Sequence, residues 1–543
     1  MTFGNRKFAG FLGAATVVII AEYVLVLSDC VISGRVLGET ALGAMNLLMP
    51  VFSTVSFFTW LLAVGTSIVY SDAVGRTDGA RAAKLAGQGL CAAILLGLCL
   101  VGLTFSLETP YLSFMAPDEE TMALSGEYWT WYPLVVILEA VDLLLLYLVY
   151  TDGGEIACLY SYVGQVIVNI GLSYFLCSKT GMGMAGISLG TVFAYLVGIA
   201  ALLPRIFSRS CGLRFRPAFL PREFVRSLKL SFGDASAGLF HALLFFVITK
   251  YVLFFWGSEV LPITAVVFCI VRLTVFFNGV GIALQPLETV YHGEGNETGI
   301  AKLVHFAAAV SVAEGLLVSA VVFIAPELII SLVGIVDEDL VIAAKRAARL
   351  TVAGLSGYAV AYMLNSHYQY VGRPGRSVGL TALAFFVFPV LLVVSLGAVI
   401  GMDGVWIAVA AGPMCALASF LPLIRRARAA SEPLPVMRTV KLWRPRGIDG
   451  AKTFVARELV RGGRSSAHAV EIAETVADAL RQIADANAGG RTAVEMTLDR
   501  RRGVRLILRD DGRPLELKPQ ATVSIVHMPA AGFNRNIITW PNI

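Results

Sequence analysis

The sequence predicts an all-α polytopic membrane protein, about twelve transmembrane helices in two six-helix lobes, with a small cytoplasmic α+β domain behind them. Three observations predict it. The chain is 57% hydrophobic and 15% charged, where a soluble protein carries about a quarter charged residues. Apolar runs long enough to cross a bilayer follow one another from Phe11 to Ile424, and each needs about 20 residues to do so. After Arg425 the composition becomes that of a soluble domain.

The first six spans are expected near residues 11–36, 43–72, 84–107, 127–150, 155–177 and 184–207. The second six are expected near 227–256, 262–290, 303–325, 345–371, 377–400 and 403–424. Arg6 and Lys7 precede a first run that is too long for a signal-peptide core, so it reads as an uncleaved span. Basic residues gather in alternate loops, among them Arg76, Arg81, Lys84, Arg205, Arg214 and Arg222. The opposite loops are acidic, with Glu108, Asp118, Glu119, Glu120, Asp337, Glu338 and Asp339. The positive-inside rule then puts both termini in the cytoplasm. The net charge of +5 is that loop asymmetry and not a footprint for nucleic acid. The eight cysteines form no CxxC pair and read as small packing residues.

The halves repeat. VGRTDGARAAK (Val74–Lys84) follows the second span and HGEGNETGIAK (His292–Lys302) the eighth, and Gly75 and Gly293 precede their Lys by the same interval. Pro50 and Pro286 lie inside the spans that lead into these turns. Such a repeat relates two parallel halves about an axis along the membrane normal, with a cavity between them. The expected organisation is an N-terminal lobe (1–207), a basic inter-lobe linker with a short amphipathic element at the inner surface (208–226), a C-terminal lobe (227–425), a second basic linker (426–447) and the soluble domain (448–543). Within the last, VEIAETVADALRQIADA (470–486) has helical period, and 493–499 and 504–509 alternate like strands.

One residue stands out. Asp29 lies deep in the run from Phe11 to Gly38, where a charge costs at least about 2.5–3.5 kcal/mol on insertion scales and marks function by default. A cation site inside a membrane needs oxygen ligands, at least one of them anionic. Asp29, with Asn169 on the fifth span and Thr191 on the sixth, meets that need for Na⁺. For H⁺, Asp29 suffices by itself if it exchanges its proton near neutral pH. Glu22, two turns before Asp29, and Glu139 with Asp142, three apart on the fourth span, are candidates for lining a substrate cavity. Lys250 and Arg272 are expected to pair with carboxylates or carbonyls.

Residues 8–425 resemble the multidrug and toxic compound extrusion (MATE) family. The likeness is carried by LSDCVISGRVLG (27–38) with NLLMP (46–50), by LAVGTSIVYSDAVGR (62–76) and by GIALQPLETVYHGEGN (281–296). It implies a V-shaped pair of six-helix lobes and efflux driven by inward Na⁺ or H⁺. It also implies an N-lobe cation site of an Asp on the first span, an Asn on the fifth and a Thr on the sixth, here Asp29, Asn169 and Thr191. The family's second Asp, one turn after that Asn, falls on Ser173. Phe11–Gly38 contains no proline, where some relatives bend the first helix at one.

The C-terminal domain resembles a histidine-kinase-like ATPase of the small anti-sigma type, through Glu474 and Asp478 on its helix, LRDDG (508–512) and AGFN (531–534). That resemblance implies a nucleotide site of Glu474, Asp478, Asp510 and Gly512, with Asp478 where the family's Mg²⁺-binding Asn stands and little room for a phosphate lid. A regulatory role, through a cytoplasmic protein bound at 448–543, is expected before ATP hydrolysis. There is no GxxxxGK[ST] phosphate loop to drive transport by ATP.

The expectation is a monomeric, cation-coupled efflux antiporter in a prokaryotic plasma membrane, moving a bulky organic cation and needing no cofactor beyond its coupling ion. The alternatives are a lipid-linked precursor flippase, which calls for a cavity rich in Arg and Lys, and a membrane sensor that signals through its C-terminal domain.

Overall fold

The structure is a computed structural model that describes residues 3–115, 119–208, 211–257, 260–333, 337–429, 436–442, 447–487, 492–499, 504–510, 524–527 and 533–540. The N-terminal lobe contains α1 (Phe3–Ile32), which runs into a π-helical turn (Ser33–Leu37), then α2 (Glu39–Gly75), α3 (Gly79–Met115), α4 (Glu119–Trp129), α5 (Tyr132–Thr151), α6 (Glu155–Ser178) and α7 (Gly183–Ile206). The C-terminal lobe contains α8 (Pro221–Trp256), α9 (Leu261–Leu273), α10 (Asn278–Glu294), α11 (Glu297–Ile324), the short α12 (Glu327–Val333), α13 (Glu338–Val352), α14 (Leu355–Tyr370), α15 (Pro374–Ala382), α16 (Phe388–Ile400) and α17 (Met402–Ala429).

Among the described residues, ten stretches are long and apolar enough to cross a membrane. In two of them a pair of helices forms one column, α9 with α10 and α15 with α16. The α1 helix and the α13–α14 pair stand where the first and tenth spans were expected. The expected fourth span, 127–150, is α5, and the separate helix α4 precedes it. Thr130 and Trp131 separate the two, and Pro133 lies in the first turn of α5, because proline has no N–H to give to a continuing helix. Side chains stop the helix starts elsewhere. Asn296 accepts the N–H of Gly299 at 3.0 Å and Asp337 that of Leu340 at 3.0 Å, each satisfying one orphan donor of a first turn.

Residues 211–220 form no helix, so the expected amphipathic element is absent from them. They run as a strap held by polar contacts: Arg216 N to Ala83 O at 2.9 Å, Gly212 N to Asp152 Oδ2 at 3.0 Å and Leu220 N to Gln88 Oε1 at 2.8 Å. Pro217 in this stretch opposes a helical course, and Pro221 follows it as the first residue of α8, where its missing N–H costs no helical bond. Burial raises the carboxyl of Asp152 above its ordinary range, against the N–H of Gly212 and the charge of Arg205.

The apolar core shows how the lobes are arranged. One cluster is common to both lobes and includes Phe8, Phe11, Ile68, Tyr70, Leu146, Leu284, Leu287 and Tyr291. Two others belong to one lobe each: Ile32, Met45, Tyr128, Tyr132 and Ile187 in the N-lobe, and Ile248, Val266, Tyr358, Phe385 and Trp406 in the C-lobe. The lobes therefore share a core at one end and have separate cores toward the other, which makes a V. The closed end carries the start of α1, the last turns of α2 and α10 and the start of α8. There, Ser231 Oγ donates to Leu61 O at 2.6 Å, Arg226 reaches Asp72 at 3.1 Å, and Gln285 donates to Ser67.

The C-terminal domain is an antiparallel five-stranded sheet of β1 (Val436–Lys441), β2 (Ala493–Asp499), β3 (Val504–Asp510), β4 (Ser524–His527) and β5 (Asn534–Trp540), in the order β1-β2-β3-β5-β4, with α18 (Gly447–Arg461) and α19 (Ser466–Ala486). Period-two alternation divides its faces. Val494, Met496, Leu498, Leu506, Leu508 and Ile538 pack under the two helices. Glu495, Thr497, Arg509 and Arg535 alternate with them and are buried as well, which needs a second covering layer. That layer is the closed end of the transmembrane bundle.

Candidate functional site

Asp29 lies at the last turn but one of α1, in the N-lobe's own arm of the V, and is 6% exposed. Four helices converge on it. Asn169 of α6 donates from Nδ2 to Oδ1 at 3.1 Å, and Thr191 of α7 donates from its hydroxyl to Oδ2 at 3.0 Å. Tyr128 of α4 donates from its phenol to Oδ2 at 3.2 Å. Asn169 also donates to Thr191 Oγ1 at 3.0 Å, and its Oδ1 accepts from Ser28 at 2.5 Å. A buried carboxylate is tolerable only with such partners, and charge-assisted bonds of this kind are worth about 1.5–3 kcal/mol each.

The helices meet because small residues let them. Gly190 lies where a Cβ would stand 2.8 Å from Ser173 Cα, and at Gly186 one would stand 2.8 Å from the carbonyl carbon of Leu176. This brings α7 onto α6 and sets Thr191 beside Asn169. Ser173 is buried in the same seam, but its hydroxyl donates to Ile187 O at 3.2 Å. It ties α6 to α7 and is not among the hydrogen-bond donors to Asp29. Of the four expected cation ligands, the structure thus gathers Asp29, Asn169 and Thr191.

The other carboxylates lie apart. Glu139 is half-buried and accepts from Ser56 at 2.8 Å and Thr59 at 3.1 Å, both on α2. Asp142 is buried and accepts from Gln165 on α6 at 3.1 Å. Three residues advance a helix by 300°, so the two side chains stand about 60° apart on the same side of α5, Glu139 bonded to α2 and Asp142 to α6. The side chain of Glu22 lies outside the described residues. Lys250 is over the ring of Phe246, 5.9 Å from its centroid.

In the C-terminal domain Glu474 pairs with Lys452, and that pairing lowers its carboxyl below the usual range. Asp478 pairs with Arg481 at 2.6 Å, and Asp510 accepts from Asn534 at 2.9 Å. Gly512 lies outside the described residues. Each of the three described acids is engaged with a neighbour of its own.

Three groups escaped sequence reasoning. Tyr128 is one of 17 tyrosines, and nothing local marks it as a partner of Asp29. In the C-lobe it is Asn365 of α14, which donates at 2.5 Å to Asp234 of α8, itself conspicuous in an apolar span, and accepts from Thr381 of α15 at 3.0 Å. His367 contacts Glu288, which is fully buried. The third is the pair Arg509 and Arg535, both 0% exposed. Arg509 next to Leu508, and Arg535 between Asn534 and Asn536, read as solvent-facing charges until the second layer is seen.

The MatE family model matches residues 14–175 and 236–394, more than half of the chain. The probable multidrug resistance protein YoeA of Bacillus subtilis strain 168 is 25% identical over 193 residues, which cover 34% of this chain and 40% of that protein. The chain therefore covers less than half the length of that curated relative. Among solved structures, a MOP superfamily transporter from Pyrococcus furiosus, reported as having a binding pocket of reversed polarity, superposes with a TM-score of 0.71 at 18% identity, over 79% of this chain and 97% of that one. A multidrug resistance MATE family transporter in an outward-facing conformation also gives 0.71 at 18% identity, over 78% of this chain and 96% of that one. At these identities the two structures establish a shared fold.

Proposed function

The chain belongs to the MatE family of membrane transporters, and we propose that it is a secondary efflux antiporter that exchanges an inward-moving cation for an organic, cationic, drug-like cargo. The observation that carries this reading is the hydrogen-bonded Asp29 buried where α1, α4, α6 and α7 meet. The printed name of the Bacillus subtilis relative, a probable multidrug resistance protein, supports the choice of cargo. The basic loops support a cytoplasmic position for the closed end, so that the V opens outward, in the plasma membrane of a prokaryote.

The donor set favours H⁺ over Na⁺. All three neighbours donate to Asp29. A proton on Asp29 requires only that one hydroxyl, Thr191 or Tyr128, turn and accept it. A sodium ion requires that Asn169 swing its Oδ1 inward and break the bond from Ser28. With Ser173 committed to a carbonyl, a second anionic ligand is also lacking from that seam.

The cycle follows from linkage. In the outward-open state a cation occupies Asp29 and loosens the donors that tie α1 to α4, α6 and α7. Cargo then binds less well and leaves, and the loaded lobe pair returns. Exchange of one inward cation for one singly charged organic cation moves no net charge, so the coupling ion's own concentration gradient drives it, at about 1.4 kcal/mol for each tenfold. The C-terminal domain is not needed for the chemistry of exchange, and ATP hydrolysis forms no part of it. A membrane sensor is the second reading, because the C-terminal sheet touches the bundle directly.

The test is dye-cation transport in everted vesicles under separately imposed H⁺ and Na⁺ gradients. The wild type should respond to the H⁺ gradient. Asp29→Asn should lose at least about tenfold of the driven rate, in the range of ordinary coupling free energies of about 1–3 kcal/mol. Equal rates in the two proteins remove Asp29 from the mechanism.

A further inference from the structure

The C-terminal sheet does not merely lie near the bundle. Arg535 of β5 donates from Nη1 to Glu294 Oε1 at 3.1 Å and from the same guanidinium to the carbonyls of Val74 at 2.5 Å and Gly75 at 3.4 Å. Glu294 ends α10 in the C-lobe; Val74 and Gly75 end α2 in the N-lobe. One side chain of the soluble domain is therefore bonded to both lobes at once. Arg509 of β3 contacts the other oxygen of Glu294, lies over the Tyr291 ring at 4.9 Å, and donates to Thr497 at 2.8 Å. Tyr291 in turn donates to Glu495 of β2 at 2.8 Å. Two guanidiniums and two carboxylates thus form a charge-balanced cluster with no side chain more than 3% exposed.

The place of contact matters. It lies on the two turns that repeat between the halves, where α2 and α10 touch backbone to backbone. A Cβ at Gly75 would stand 2.6 Å from Val290 O, and one at Gly293 would stand 2.5 Å from Asp72 O. This contact closes the inner end of the V, and it must part for the lobes to open there. Parting would pull Glu294 away from the carbonyls of α2 and leave at least one buried guanidinium without its partners, which is strongly unfavourable for a pair that is broken rather than replaced. The C-terminal ends of two helices also offer carbonyls and dipoles that a buried cation neutralises.

We propose that the C-terminal domain is a built-in clamp on the inner gate, in which Arg535 and Arg509 lock the ends of α2 and α10 together through Glu294 and must release them before the transporter can open inward. The domain then sets the balance between the two orientations of the carrier. Anything that binds the free domain better than the docked one would favour inward opening.

The test reads the gate itself. Nitroxide labels at Ala80→Cys and Ala301→Cys, exposed positions at the starts of α3 and α11, report the inner separation by double electron–electron resonance. The full-length chain is used in liposomes, with its eight native cysteines replaced by alanine. With the clamp intact a short distance should dominate. Arg535→Ala should raise the ratio of long to short distances at least tenfold. Glu294→Gln, which alters only the bundle and leaves the sheet to fold, should shift it in the same direction. Arg438→Ala, which removes an exposed contact to Gly450 O, should leave it unchanged. An unchanged distribution in either Arg535→Ala or Glu294→Gln overturns the clamp. The readout needs neither cargo nor gradient, so it succeeds or fails independently of the antiport reading.

Discussion

Asp29 holds three donors, and each can be removed singly. Tyr128→Phe keeps the ring and its packing against Phe52, 5.4 Å between centroids, and deletes one bond to the carboxylate. That bond stabilises the ionised, cation-free state, so its loss should tighten cation binding. The half-saturating concentration of the coupling ion should fall about tenfold, the equivalent of a charge-assisted bond at the low end of about 1.5–3 kcal/mol. Thr191→Val separates the two ions. If the ion is H⁺, Thr191 acts as a donor and its loss lowers the half-saturating concentration. If the ion is Na⁺, a ligand oxygen is lost and the concentration rises. Proteoliposome transport at varied ion concentration checks both. Asp29, Asn169 and Thr191 were legible in the sequence because polar groups are conspicuous in apolar spans. Tyr128 was not, since a tyrosine at the end of a span serves packing and membrane interfaces equally well.

The paired glycines at the ends of α2 and α10 were visible only as a repeat. Their spacing from Lys84 and Lys302 showed that the halves correspond, but not that the two turns touch. Contact between distant turns depends on how the lobes pack, and no local pattern encodes that. Gly75→Ala or Gly293→Ala should push the two backbones apart and cost about 1–3 kcal/mol, as overpacking does. The loss is readable as a lower thermal midpoint of the full-length chain. The start of the fourth span after Trp131 had a local signal in Pro133, which a window tuned to apolar length passes over. The strands of the C-terminal domain were legible from alternation, whereas the role of their charged face was not. Arg505 and Arg509, on one face of VRLILRD, match a solvated face and a docked one alike, and only the bundle's Glu294 distinguishes them.

At the scale of the molecule, one core shared by both lobes at one end and a separate core in each arm describe a V closed on one side. Two six-helix lobes were foreseeable from span count and repeat, and the family match over 14–175 and 236–394 agrees. The state of the V was not foreseeable, because both orientations bury the same sequence. A chain ending at Ala429 should retain gradient-driven transport in vesicles, as the exchange site lies wholly within the N-lobe; a sensor that works through its tail would lose its function. The account rests on competition between cargo and cation through Asp29, and equilibrium binding reads that most directly. The affinity of the purified protein for a fluorescent lipophilic cation should fall steadily as the proton concentration is raised, while Asp29→Asn should bind it with an affinity independent of pH. An identical fall in both proteins would contradict the account.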